Sequence, residues 1–491
     1  MEADLSILKF GGTSVGSGER MRRVAHIVTH TCNKAEEPFP VVVVSAMSGV
    51  TDQLLRIARY ACEDEGKKLE LELEALKQRH LEALEKAVTR REARHASHDT
   101  LQEAFSKLER DVEALKAARQ RGDEVALPTA AVAAWGERLS VLLVAAAVQE
   151  SGVRAAPVRE EVIITARPHE VPPVGMVVGA EPLMEETRQN AQRLISPLIE
   201  QRVVPIAAGF IGRTSDGYVT TLGRNGSDYS ASVIGAALNG VEVTIYTDVD
   251  GVLTADPRLV PNARLLPVLS YAEAARLSWF GAKVLHPRTL IPVAPRNIPV
   301  RVRNTFRPHI RGTLVGPENE HSAATAISAR RHLALITMES TDLFGAPENA
   351  GQVFALAARA GAAPVAICSS SGHHLSFMVE EQAADTVVSL LQHDMGTWRV
   401  RARPDLAACA CIGSGFTVDP MSPARAMASL ARERIPVITQ GASELGITLI
   451  VADENAERAL RSLHRDLIAP VIPLVRHALT VRERRRGTGA L

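Results

Sequence analysis

The sequence predicts an α/β protein: a mainly parallel sheet sandwiched by helices and carrying a helical insertion, followed by two smaller units of βαββαβ type. Three observations carry this reading. Val41-Val42-Val43-Val44 is a continuous β-branched run, as expected of a parallel strand buried on both faces. Helical patterns alternate with such runs through the first part of the chain. Past residue 328 the order strand, helix, strand, strand, helix occurs twice. At 491 residues the chain exceeds one ordinary core, so several domains are expected.

Lys plus Arg equals Asp plus Glu at 56 each, which gives no pull toward nucleic acid or an anionic membrane. Five scattered cysteines suggest reduced thiols in a cytoplasmic protein. Cys409 and Cys411 alternate in an apolar run and read as buried strand residues. The histidines form no H-E-x-x-H pattern, and no metal site is predicted. Glu2 and Asp4 open a terminus without the apolar core of a secretory signal. The apolar run Val141 to Val148 is too short to span a bilayer, so a soluble chain with no membrane partner is expected.

In chain order, Leu5 to Leu8 reads as a strand and Met21 to Thr29 as a helix, with Lys9-Phe10-Gly11-Gly12-Thr13-Ser14-Val15-Gly16 between them. Adjacent glycines let the backbone approach a ligand, and the N–H groups of the following helix start make an anion site. Lys9 adds a charge that can follow a phosphoryl group. The order of lysine and glycines excludes a P-loop and the Rossmann fingerprint. After Val44 comes the small polar loop Ser45 to Asp52. Ser45 and Thr51 fall at the same sheet edge as Lys9, although Ser48 or Thr51 would serve equally as a helix cap. Residues 63–122 space leucines three and four apart among charges, which predicts two amphipathic helices in a hairpin.

Pro128-Thr129 opens a helix over 130–149 that contains Gly136-Glu137. The glycine allows close approach of a ligand to Glu137; the alternative is a carboxylate on a solvated face. Residues 203–212 read as a strand ending in a glycine loop around Phe210. A short strand then leads to Gly223-Arg224-Asn225-Gly226-Ser227-Asp228 and a small-residue helix. This makes a second anion cradle, with Arg224 a planar fork for a carboxylate and Asp228 placed to orient Lys9 or Lys283. The strand Val243 to Tyr246 runs into Thr247 to Arg258, whose Asp-x-Asp-Gly lacks the later glutamate of a calcium loop. Residues 277–287 predict a helix ended by Pro287, with Lys283 a cation among Trp279, Phe280, Val284 and Leu285. Polar residues 317–325 set a boundary, giving domains at 1–318, 328–402 and 405–475 and a tail at 476–491.

The strings KFGGTSVG at 9–16, GRNGSDYSA at 223–231, TDVDGVLTADPR at 247–258 and FGAKVLHP at 280–287 resemble, in order, those of aspartate kinases in the amino-acid kinase family. The 223–230 string and the helical insertion are most similar to the kinase half of bifunctional aspartokinase–homoserine dehydrogenases. The resemblance implies the amino-acid kinase fold and ATP-dependent phosphorylation, with Mg²⁺, of the L-aspartate side chain to 4-phospho-L-aspartate. That reaction opens lysine, threonine and methionine biosynthesis. It implies catalytic roles for Lys9, Asp228 and Lys283, and substrate binding by Ser45, Thr51, Glu137, Phe210, Arg224 and Ser227, with Glu137 on the ammonium. ATP would meet Lys9, Phe10, Gly11, Gly12, Thr247, Asp248, Leu253, Arg258, Lys283 and Val284. The family pattern has tyrosine where this chain has Leu253, so one aromatic contact is replaced. No general base is needed, because the accepting carboxylate is already ionised at pH 7.

The C-terminal repeats resemble paired ACT domains, which implies an end-product effector such as lysine or threonine and a homodimer or higher oligomer. Gln440, Ser443 and Glu444 match the effector segment. The first repeat reads Cys368-Ser369-Ser370-Ser371-Gly372 there, without glutamine or glutamate, and Asn349 is compatible with a ligand turn. No dehydrogenase domain follows, so a monofunctional chain is expected. A kinase of the same fold acting on glutamate, acetylglutamate or UMP would lack the paired repeats. A non-catalytic amino-acid sensor would not need Lys9, Glu137, Arg224, Asp228 and Lys283.

Overall fold

The computed structural model describes residues 4–468 except 35–36, 159–160, 168–178, 224, 283, 318–325, 341–345, 372, 397, 414–415 and 417–418. It divides into two compact units: Met1–Gly251 with Arg288–Pro317, and Val252–Pro287 with Glu318–Leu491.

In the first unit, β1 (Leu5–Phe10) leads to α1 (Gly18–Asn33), β2 (Phe39–Val44) and α2 (Val50–Cys62). The leucine-spaced stretch forms α3 (Gly66–Ala87) and α4 (Arg91–Arg121), burying Leu69, Leu76, Leu84, Leu101, Leu108 and Leu115. The single helix expected over 130–149 is instead α5 (Ala126–Ala133) and α6 (Trp135–Glu150). The break coincides with anchoring of Trp135, whose Nε1 donates to Asp111 Oδ2 at 2.7 Å. By length and composition Ala126–Glu150 could cross a membrane, which the shorter run 141–148 did not suggest. Yet 83% of its most apolar window is buried within the protein, as in a core helix.

There follow β3 (Ala155–Pro157), α7 (Met184–Glu200), β4 (Val204–Ala208), a hairpin of β5 (Ile211–Arg213) and β6 (Val219–Thr221), α8 (Gly226–Ala237) and β7 (Glu242–Thr247). The unit ends with β9 (Val300–Asn304) and β10 (Thr313–Gly316). Its sheet runs β3-β4-β2-β1-β7-β9-β10, with β9 and β10 antiparallel and the other pairs parallel. Side chains alternate across a strand. Leu8, Phe10, Val42 and Val44 join one core with residues of α1, α2 and α6. Ile7 and Val243 lie against α8, whose Gly235 leaves no room for a Cβ: one would meet Val243 Cγ2 at 2.7 Å. Lys9 shares the parity of Ile7, so the strand itself delivers it to the α8 face.

In the second unit, β8 (Val268–Ser270) and α9 (Tyr271–Trp279) precede β11 (Ala326–Ser340), α10 (Ala346–Arg359), β12 (Ala366–Ser371), β13 (His374–Glu380) and α11 (Ala384–Asp394). The pattern repeats as β14 (Trp398–Ile412), α12 (Met421–Arg432), β15 (Thr439–Ser443), β16 (Gly446–Ala452) and α13 (Ala456–Leu467). The strands form one antiparallel sheet, β12-β13-β11-β14-β16-β15. Long β11 and β14 pair with each other; β13 adds to the second half of β11 and β16 to the second half of β14. Cys409 and Cys411 are fully buried in β14, as expected. Helix α9 stops at Trp279 rather than at Pro287, because Gly281 takes a φ of +106°. Trp279 is not a core residue: it is 42% exposed, and its indole donates to the Val365 carbonyl at 2.8 Å.

Candidate active site

The carboxyl ends of β1, β2, β4 and β7 converge on one edge of the parallel sheet, where ligands of such folds bind. Lys9, only 7% exposed, lies in register with Val43 and Ile245. Its Nζ sits 2.5 Å from Asp228 Oδ1, in the first turn of α8. Of the two partners expected for Asp228, Lys9 is the one in place; Lys283 lies outside the described residues, as does Arg224.

The glycines work differently from the expectation. A Cβ on Gly12 would strike the Ala46 carbonyl at 2.9 Å, so this glycine lets the two loops close on each other. A Cβ on Gly11 would lie 3.3 Å from Lys9 Nζ, so Gly11 keeps space for the ammonium. The loop is also no helix mouth. Helix α1 begins only at Gly18, and Ser17 caps it by accepting from Arg20 N. Phe10 is fully buried and stacks on Tyr246 with ring centroids 4.7 Å apart.

Ser45 lies half-buried at the end of β2. Thr51 is inside α2 rather than in the loop, and the cap position is Gly49, left-handed at φ +79°. Gly136 does not make room for a ligand: its missing Cβ is replaced by Ala46 Cβ at 2.8 Å. That contact brings Glu137 under the loop. Its Oε1 accepts from Ala46 N at 3.0 Å, and its Oε2 is buried with no partner. Burial pushes the Glu137 carboxyl up to about 8, against the opposing pull of the Ala46 amide and of the Lys9 charge. A buried carboxyl with one unfilled oxygen beside a cation is poised to receive a cationic group.

Phe210 holds a left-handed backbone, φ +64°, which is rare for a bulky residue. Its N–H donates to Ser230 Oγ at 2.8 Å and its carbonyl accepts from Leu222 N at 2.8 Å. Ser230 and the Ala46 amide were missed by sequence reasoning, since neither residue type has a pattern of its own. Ser227 is 9% exposed and packs on Gly209, where a Cβ would meet its Oγ at 3.1 Å. Thr247 donates to the exposed Asp248 carboxylate at 3.2 Å, and Asn304 Nδ2 donates to the Asp248 carbonyl at 3.2 Å.

Leu253, Arg258 and Val284 belong to the second unit. Leu253 bridges to Leu265, Val284 is half-buried, and Arg258, 80% exposed, pairs with Asp256 at 2.6 Å. On the effector segment, Gln440, Ser443 and Glu444 are exposed at the edge strand β15 and its turn. Arg276 of α9 donates to Ser443 Oγ and, at 3.3 Å, to Thr448 Oγ1. Asn349 lies half-buried in α10. Among the described residues no group of three or more His, Cys, Asp or Glu is arranged to hold a metal ion.

Residues 4–304 match the amino acid kinase family, and residues 410–467 match an ACT domain. The chain is 32% identical over 480 residues to a chloroplastic bifunctional aspartokinase/homoserine dehydrogenase 2 of Arabidopsis thaliana, covering 94% of this chain and 50% of that one. It thus spans about half the length of such bifunctional relatives. It is 31% identical to the lysine-sensitive aspartokinase 3 of Escherichia coli, covering 95% of this chain and 99% of that one. The crystal structure of E. coli aspartokinase III with aspartate and ADP superposes with a TM-score of 0.74 at 29% identity, covering 95% of this chain and 100% of that one. This chain therefore belongs to the amino acid kinase family, among its aspartokinases, and carries a C-terminal ACT region.

Proposed function

We propose that the enzyme transfers the γ-phosphoryl group of ATP to the side-chain carboxylate of L-aspartate, releasing 4-phospho-L-aspartate and ADP. The observation that carries this reading is the unfilled buried oxygen of Glu137 near the Lys9–Asp228 pair. The substrate ammonium completes Glu137 and draws its proton off. Asp228 holds Lys9 in line, and Lys9 neutralises charge on the phosphoryl group as it moves. Arg224 takes a substrate carboxylate, while Ser45, Thr51, Phe210 and Ser227 shape the pocket. Because the accepting carboxylate is already ionised, alignment and charge neutralisation supply the catalysis.

The nucleotide lies along Phe10, Gly11 and Gly12, with Thr247 and Asp248 at base and ribose. The cradle fits an anion: it has a buried lysine and a glycine without Cβ beside it. Mg²⁺ comes with the nucleotide phosphates. The ACT region binds an amino-acid effector at Gln440, Ser443 and Glu444, with Asn349 on the first repeat. Lysine is the first candidate, because the E. coli relative is lysine-sensitive; threonine is the second. A homodimer is the assembly this reading expects. The test is ADP release with Mg-ATP and L-aspartate, run beside L-glutamate and UMP and with lysine or threonine added. Turnover with aspartate alone supports the reading; turnover with none of them returns the chain to an amino-acid sensor.

A further inference from the structure

Arg288 lies outside every motif discussed above, yet its guanidinium joins three separate pieces of the first unit. One terminal nitrogen donates to the Leu222 carbonyl at 2.8 Å. The other meets Glu181 Oε1 at 2.7 Å. The guanidinium carbon stands 4.5 Å from the centroid of the Tyr229 ring, a cation–π distance. Two glycines flank it without crowding: a Cβ on Gly223 would lie 3.7 Å from the nitrogen that bonds Leu222, and one on Gly179 would lie 3.9 Å from it, both ordinary van der Waals distances. Gly223 also has a left-handed φ of +76°, so the chain turns away from Leu222 directly at the clamp.

The two contacts with Leu222 and Tyr229 bracket residues 223–228. That segment holds Arg224, Ser227 and Asp228, and Asp228 in turn holds Lys9. We propose that Arg288 is a positioning residue which fixes both ends of this loop, and so sets where the amino-acid substrate and the Lys9–Asp228 pair stand. The identification of the substrate rests on the aspartate kinase reading above; the clamp itself does not. Only arginine meets all the demands at once. A planar fork can donate in two directions from its edge while its face lies on an aromatic ring, whereas a lysine ammonium is a single point charge. The Arg288 side chain is 23% exposed and Glu181 is 72% exposed, so the ion pair contributes little stability, and the carbonyl bond and ring contact carry the clamp.

The test uses Arg288→Lys in the full chain, with thermal unfolding confirming that it folds, and Glu181→Gln as a milder second variant. In ligand-free protein, amide hydrogen exchange of residues 223–230 should rise by about tenfold or more in Arg288→Lys, and less in Glu181→Gln. Unchanged exchange in Arg288→Lys would overturn the clamp whatever reaction the enzyme catalyses. In turnover, the aspartate KM should rise about tenfold or more while the ATP KM moves by less than about twofold. Tyr229→Leu, which removes both the ring and the hydroxyl that hydrogen-bonds Arg288, should reproduce the Arg288→Lys defect, and Tyr229→Phe, which keeps the ring contact, should show a smaller one. Equal shifts in both KM values, or none, would reduce Arg288 to a structural residue. If the unaltered enzyme turns over no aspartate, the activity reading fails, and the exchange measurement still decides the clamp.

Discussion

Both units bury ionisable groups, but they finish them differently. In the second unit, Glu273 is 7% exposed and closes a capping box with the amide and hydroxyl of Ser270. His464, 3% exposed, meets Thr254 Oγ1 at 2.9 Å. Among its described residues the orphaned side-chain atom is Arg276 Nε, on the side chain that holds Ser443 of the effector strand. In the first unit, Glu137 is fully enclosed with one oxygen unfilled, beside a lysine. An incomplete buried carboxyl is costly to fold around, and it persists where a ligand completes it. Unfilled polar capacity thus separates a site from a structural bond, provided that other charges face the same space.

The largest expected effect tests that proviso. Lys9→Ala should lower kcat by about 10³-fold or more at saturating substrates, since it removes the charge facing the transferred group. Full turnover in this variant would detach the buried ion pair from the chemistry.

Next is Glu137→Gln, which should raise the aspartate KM by about 10–100-fold and leave the ATP KM alone. An effect confined to ATP saturation would take Glu137 out of the amino-acid pocket. In the unaltered enzyme, aspartate affinity should climb as pH rises toward 8, because the carboxyl held at about 8 must ionise to meet an ammonium. The variant should lose that climb. The linkage has the opposite sign for stability. The folded protein keeps a proton that the unfolded chain releases above 4.5, so the stability due to Glu137 is fully present below 4.5 and is lost as pH rises through about 8. Glu137→Gln should flatten this part of the denaturation profile.

His80 sharpens the comparison from the other side. It is buried in the helical insertion, its Nδ1 2.8 Å from the Leu76 carbonyl, its Nε2 unpartnered and its ring edge-on to Phe105. Among the described residues Arg79 is the charge that bears on it, so here an orphan marks no site. Burial holds its pKa down at about 4. Its neutral form stabilises the fold above 6.5, and that stability drains away as pH falls toward 4. Relative to His80→Gln, the unaltered protein should lose about 2–4 kcal/mol between pH 7 and 4, read from urea midpoints. The smallest effect is expected for Gln440→Ala: the midpoint of lysine or threonine inhibition should move by about fivefold. An unmoved midpoint would leave the edge strand without a ligand.

Much of this was legible in the sequence for local reasons. Val41 to Val44 announces a strand buried on both faces because nothing polar interrupts it. Asp228 was expected to orient Lys9 or Lys283 because it sits in a glycine string, and the strand brings Lys9 to it. The misreadings share a cause in contacts between distant stretches. Gly136 looks like room for a ligand until Ala46 is found occupying it. Thr51 looks like a loop residue until Gly49 supplies the turn. The left-handed Phe210 depends on a hydroxyl at Ser230 that no motif distinguishes from other helix serines. Pro287 suggested the end of a helix that Gly281 had already ended.

The segment Val252–Pro287 belongs to the second unit although its sequence lies inside the first, and this has a consequence in time. Ala255 and Val260 share a core with Ile327, Cys409, Leu430 and Leu460. A ribosome that has just made this segment must still add roughly 125 residues before β14 is finished, which at about 5–20 residues per second takes on the order of ten seconds. For that interval its apolar side chains have no permanent neighbours. Premature termination between this segment and the end of β14 would therefore strand sticky surface in the middle of the catalytic sequence, and such a truncated product is a natural client for chaperones and proteases.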